Sequence, residues 1–177
     1  MRLVAFLLVV VLAMSGLVAV ALGLPERPGG HGFTHPEFST MERGGPGELR
    51  HERVLTLGWA FGLAQIVFFT GLLALGARTR EGLRGLGPGL VAGGLAYALV
   101  WTALVLAYRS YAGGSASAYF LGFPAPTALM LFALFPAPVI FSLLYVVGFE
   151  RWIAAPSDIA ELERRLAELR ASDEDRS

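Results

Sequence analysis

All three histidines fall in one stretch, LPERPGGHGFTHPEFSTMERGGPGELRHER. His31, His35 and His51, joined by Glu37 or Glu52, are the residue types that hold zinc or copper, since imidazole and carboxylate suit either ion. Their spacing argues against a site. His31 and His35 lie in GGHGFTHPEF, where the glycines and Pro36 preclude the helix that makes i, i+4 ligands converge. Solvated loop histidines are the expectation. A second group is Gly58, Gly62 and Gln65, which fall within about 60° of one another on a helix. A small-residue notch and one amide on a shared face predict close helix packing and an interhelical hydrogen bond, with a substrate or cation contact as the alternative. Tyr97, Trp101 and Tyr108 share a face as well, and such a stripe stacks a quinone or, as expected here, fills packing space. Pro136 and Pro138 interrupt LMLFALFPAPVIFSLLY. They strip the carbonyls of Phe132 and Leu134 of their helical donors and predict a kink. Freed carbonyls coordinate Na⁺ in transporters, but no Asp or Glu stands in the apolar run to complete such a site.

The elements that must carry these residues follow from composition. The chain has 177 residues, of which 55% are hydrophobic and 16% charged, and a mean hydropathy of +0.60; an ordinary soluble domain is about 25% charged. Fourteen basic against 14 acidic residues leave no net charge, which argues against a nucleic-acid partner. Cysteine is absent, so disulfides, thiolate metal sites and cysteine nucleophiles are excluded. Four apolar runs, about 3–24, 54–76, 89–108 and 126–149, each reach the roughly 20 residues that a helix needs to cross a bilayer. They are continuous rather than alternating, which excludes a membrane barrel. The predicted fold is all-α: an integral membrane bundle of four transmembrane helices over 1–152, with an external loop at 25–53 and a cytoplasmic tail at 153–177. Gly16, Ala19 and Gly23 make a small-residue strip on the first run that is expected to meet Gly58 and Gly62.

Orientation rests on arginine, because every basic residue is Arg. The N-terminus, the loop 77–88 and the chain beyond 149 carry nine and the other two loops five; without Arg170 and Arg176, which stand too far from a span end to count, the balance is seven against five. The positive-inside rule then places both termini in the cytoplasm and the histidine-bearing loop outside. Trp59 and Trp152 near run ends fit interfacial positions. The first run exceeds a usual signal-peptide core, so a retained anchor is expected; cleavage at Ala19-Val20-Ala21 is the alternative. Exclusive arginine with abundant Ala, Gly and Leu suggests a G+C-rich bacterial genome, and hence the bacterial inner membrane.

In the tail, Ser157 is a candidate N-cap and a helix is predicted over 158–171. Ile159, Leu162, Leu166 and Leu169 repeat at heptad spacing, while Glu161 with Arg165 and Arg164 with Glu168 form i, i+4 pairs. Two heptads are marginal alone in water, so the seam must bury against something. The acidic residues around it disfavour anionic lipid, which leaves protein: a larger membrane subunit or a second copy of the chain.

No nucleophile with a general base, no phosphate-binding glycine loop, no histidine within a span for haem and no intramembrane carboxylate for a proton relay is present. No catalysis and no cofactor are expected. The stretch from Phe120 to Trp152, FLGFPAPTALMLFALFPAPVIFSLLYVVGFERW, followed by the acidic amphipathic tail, resembles the small membrane accessory subunits that accompany bacterial sodium/solute symporters. That resemblance implies a non-catalytic accessory or regulatory subunit of a larger membrane protein, a transporter. The alternative is a redox or metal-handling membrane component that uses the external-loop histidines.

Overall fold

The computed structural model describes residues 2–25, 33–43, 47–78, 83, 85–114, 118–149 and 156–174. The fold is all-α, with four helical segments long and apolar enough to cross a membrane. In chain order these are α1 (Arg2–Gly23), α2 (Gly47–Gly76), α3 (Leu86–Ala112) and a composite fourth segment. The last consists of α4 (Ala125–Leu129), a π turn (Met130–Leu134) and α5 (Ala137–Gly148). Helix α6 (Pro156–Glu174) follows.

Two helices run past their expected boundaries. Helix α2 begins at Gly47 rather than 54, because Glu48 to Arg53 contain no breaker and extend the helix beyond its apolar part. The loop expected over 25–53 is shorter for that reason, and His51 stands on a helix. In the tail, α6 starts at Pro156 and runs to Glu174. Proline suits the first helical turn, where its missing N–H costs nothing, so Ser157 lies inside the helix rather than capping it.

The helices pack as a row in chain order: α1 on α2, α2 on α3, and α3 on the fourth segment. A core forms where α2, α3 and α5 converge, from Ala77, Leu86, Leu90 and Phe141, with Leu73, Tyr97 and Leu144 packed around them. Two glycines of α3 make room for it. A Cβ on Gly93 would stand 3.0 Å from the Phe141 ring and one on Gly89 3.2 Å from Leu144, so α5 seats its bulky side chains directly on the α3 backbone. Phe69 meets the edge of Phe141 with ring centroids 5.4 Å apart.

Helix α1 is peripheral. Leu7 is its one buried residue, inserted over Gly71 of α2, where a Cβ would come within 2.6 Å of it. The Arg53 guanidinium donates to the Leu24 carbonyl at 2.9 Å, satisfying an acceptor just past the end of α1. Gly16, Gly23 and Gly58 all face open space. The small-residue strips of the first two spans therefore do not meet; Leu7 over Gly71 is where α1 buries a side chain on α2.

Two small hairpins complete the connections. Phe33–Thr34 (β1) pairs antiparallel with Glu42–Arg43 (β2), Phe33 opposite Arg43. Tyr119–Phe120 (β3) pairs with Phe123–Pro124 (β4) around Leu121 at φ 49° and Gly122 at φ 81°. Two consecutive positive φ values give the turn whose twist matches the strands. Phe120 packs edge-on against Phe132 at 5.7 Å, which ties this hairpin to the π turn.

Candidate functional site

Several residues singled out by type converge on one cavity midway along the helices. Gly62 and Gln65 of α2, Tyr97 and Trp101 of α3, and Leu134 and Pro138 of the fourth segment line a space of about 290 Å³ that is half open at its side. Each element contributes for a local reason. On α2, Gly62 admits the Trp101 indole, which a Cβ would overlap. The indole Nε1 then donates to the Trp59 carbonyl at 3.0 Å, and Trp59 Nε1 donates back to Thr102 Oγ1 at 3.1 Å. This reciprocal pair locks α2 to α3. Gly62 is thus a packing residue whose partner is an aromatic of the third span. Gln65 is exposed on the cavity wall.

The fourth segment opens because its prolines cannot donate. Phe135 N–H reaches Met130 O at 3.1 Å, one residue beyond helical register, and Val139 N–H turns to Pro136 O at 3.0 Å. The chain thus inserts one wide turn ahead of Pro136 and restarts as α5. Leu134, whose helical donor would be the imide of Pro138, lines the cavity. Chemically this wall offers an amide and aromatic faces in an apolar frame, suited to holding a small lipophilic group and without a base or nucleophile.

A second site lies at the ends of α2 and α3. His51 Nδ1 is hydrogen-bonded to the Tyr108 hydroxyl across the two helices. The pair, with Glu52, Thr56 and Arg109, lines a pocket of about 270 Å³. A neighbouring trough of about 240 Å³ shares Leu55, Thr56 and Arg109 and runs along Trp59, Val105 and Leu106. Thus the α3 stripe divides: Tyr97, near Phe141 at 6.5 Å, and Trp101, in the Gly62 notch, share the first cavity, while Tyr108 binds His51.

His35 does not join them. His35 closes a turn of the first hairpin, its Nδ1 accepting from the N–H groups of Glu37 at 3.2 Å and Phe38 at 3.3 Å. His31 lies outside the described residues. Among the described residues no group of three or more His, Cys, Asp or Glu side chains is placed to hold a metal. On α6, Arg165 Nε and Arg164 Nη2 both lie 2.8 Å from Glu161, and Arg164 Nε lies 3.9 Å from Glu168. The hydrogen bond that Arg165 Nε donates to Glu161, then the charge of that carboxylate, holds Arg165 above its ordinary pKa.

Sequence reasoning missed Gly89 and Gly93, although GLVAG spells the same notch as GWAFG. Proximity of one glycine pair to Gln65 and the other's place near a span start hid an equal signal. Comparison of the chain with protein-family models, with curated proteins and with solved structures gives no match.

Proposed function

We propose that this protein is a non-catalytic accessory or regulatory subunit that crosses the bacterial inner membrane four times and binds a larger membrane protein through α6. The resemblance of Phe120–Trp152 to symporter accessory subunits supports a transporter as the partner, and the arginine distribution supports a cytoplasmic α6. The observation that carries the reading is the α6 seam. Ile159, Leu162, Leu166 and Leu169 are 48%, 58%, 45% and 62% exposed, on a helix whose other face carries the Glu161–Arg164–Arg165–Glu168 ion pairs. Burying a leucine side chain stabilises by about 1.5–3 kcal/mol, so an apolar seam in water is a binding face when a protein partner is present. Surface ion pairs of this kind contribute about 0.3–0.5 kcal/mol each and keep the helix soluble without competing for that face.

The test is a photo-crosslinking residue at Leu166 in native membranes, with and without Leu162→Ser and Leu169→Ser. The expected product is a conjugate with one larger membrane protein that disappears in the double variant. A conjugate at twice the chain's own mass replaces the larger partner with a second copy. Absence of any conjugate, or one that survives both substitutions, overturns the role of α6. A stoichiometric metal or chromophore in the purified protein favours the redox alternative.

A further inference from the structure

The pocket at His51 and the trough beside it adjoin at Leu55, Thr56 and Arg109, which sets a polar head beside an apolar stem. The head stands where α2 and α3 reach their span ends: the apolar part of α2 begins at His51 and that of α3 ends at Ala112. The stem follows Arg109, Leu106, Val105 and Thr102 down α3; the seven helical rises from Arg109 to Thr102 correspond to about 10 Å of helix. That is about two-thirds of one leaflet's share of a 30 Å hydrocarbon core. A groove of this shape, polar at the interface and apolar below it, matches an amphiphile that enters from the bilayer.

The head selects among amphiphiles by charge. Among the described residues its lining includes the Glu52 carboxylate and the Arg109 guanidinium, together with the hydroxyls of Thr56 and Tyr108. The His51–Tyr108 bond adds a donor in either tautomer. If the hydroxyl donates to Nδ1, the ring proton sits on Nε2; if Nδ1–H donates, the phenolic O–H remains available. Donors and a cation suit a phosphate, and the carboxylate suits an ammonium on the same headgroup while opposing a second negative charge. We propose that this groove holds one zwitterionic glycerophospholipid. Its phosphate lies against Arg109 and the His51–Tyr108 pair, its ammonium towards Glu52, and one acyl chain along Val105 and Leu106.

The experiment uses the full chain, delipidated in mild detergent and titrated with phosphatidylethanolamine, phosphatidylcholine or phosphatidylglycerol of identical chains. Bound lipid is counted by native mass spectrometry. The expected result is a single adduct with phosphatidylethanolamine, about tenfold tighter than with phosphatidylglycerol, which is the scale of one charge-assisted hydrogen bond. Arg109→Gln should lose that adduct, and Glu52→Gln should reverse the preference towards phosphatidylglycerol. Val105→Trp, which fills the stem and leaves every polar group in place, should abolish binding of all three lipids while the protein keeps its melting temperature. Glycerophosphoethanolamine, the headgroup without chains, should not compete, which separates a lipid from a free phosphate ester. Equal retention of the three lipids by the parent, preference for phosphatidylglycerol, or undiminished binding by Val105→Trp overturns the proposal.

Discussion

Three glycines of α2 carry the same atoms and are expected to respond differently to alanine, because different things lie over them. At Gly62 the added Cβ overlaps an indole that is pinned by its hydrogen bond to Trp59, so the ring cannot turn aside. Gly62→Ala should destabilise by about 1–3 kcal/mol, the usual range for overpacking. At Gly71 the obstacle is the end of the Leu7 side chain, which rotates, and the loss should be smaller. At Gly58 nothing lies within 4 Å, so Gly58→Ala should be neutral or stabilise by up to about 1 kcal/mol through helix propensity. Thermal melting of the three variants in one detergent checks the order, and equal losses at Gly58 and Gly62 would remove the Trp101 lock. Spacing alone groups Gly58 with Gly62; it cannot say which helix supplies a side chain to fill either one. Leu121 poses the opposite case. Its φ of 49° costs a non-glycine residue about 1–2 kcal/mol, and its side chain is 70% exposed, so Leu121→Asn should raise the melting temperature.

Among elements, the fourth segment shows what a sequence discloses and what it withholds. Two prolines within an apolar run locate a break, because a missing N–H is a covalent fact independent of the neighbours. The form of the break is not covalent. A π turn ahead of Pro136 arises because Phe135 N–H selects the Met130 carbonyl while Phe132 is held between Phe120 and Phe123 of the hairpin. Replacing both prolines by alanine restores the donors for Phe132 and Leu134, and α4 and α5 should merge into one straighter helix. Since the chain has no cysteine, spin labels at Thr127→Cys and Val147→Cys report this directly. The mean distance should lengthen by a few ångströms at unchanged yield. An unchanged distance assigns the break to tertiary packing instead, and a Na⁺-dependent stabilisation lost in the double variant would assign it to ion coordination.

At the scale of the whole molecule, the four apolar segments are legible from hydropathy because crossing a bilayer sets a length and a composition. Their neighbours are not, since lipid and helix are equally apolar surroundings. The peripheral place of α1 is one result. Exposed Phe6, Leu8, Leu12 and Leu22 read the same in sequence as the buried Leu7. The orientation is testable with single cysteines: an impermeant maleimide should label Ser39→Cys in intact cells, and Ser172→Cys only after lysis. The reverse pattern would put the termini outside and refute the arginine argument. The row arrangement, in which the main contacts join chain neighbours, also bears on biosynthesis. Each helix leaving the ribosome meets a predecessor already in place, while Phe69 of α2 waits for a segment further on, Phe141 of α5. A nascent chain stalled after Gly114 already contains both halves of the Trp59–Trp101 lock, yet leaves Gly89 and Gly93 bare until Phe141 and Leu144 arrive. Membrane quality control would therefore meet an intermediate whose unfinished face is a glycine groove on α3, and the last segment to be synthesised is the one that closes it.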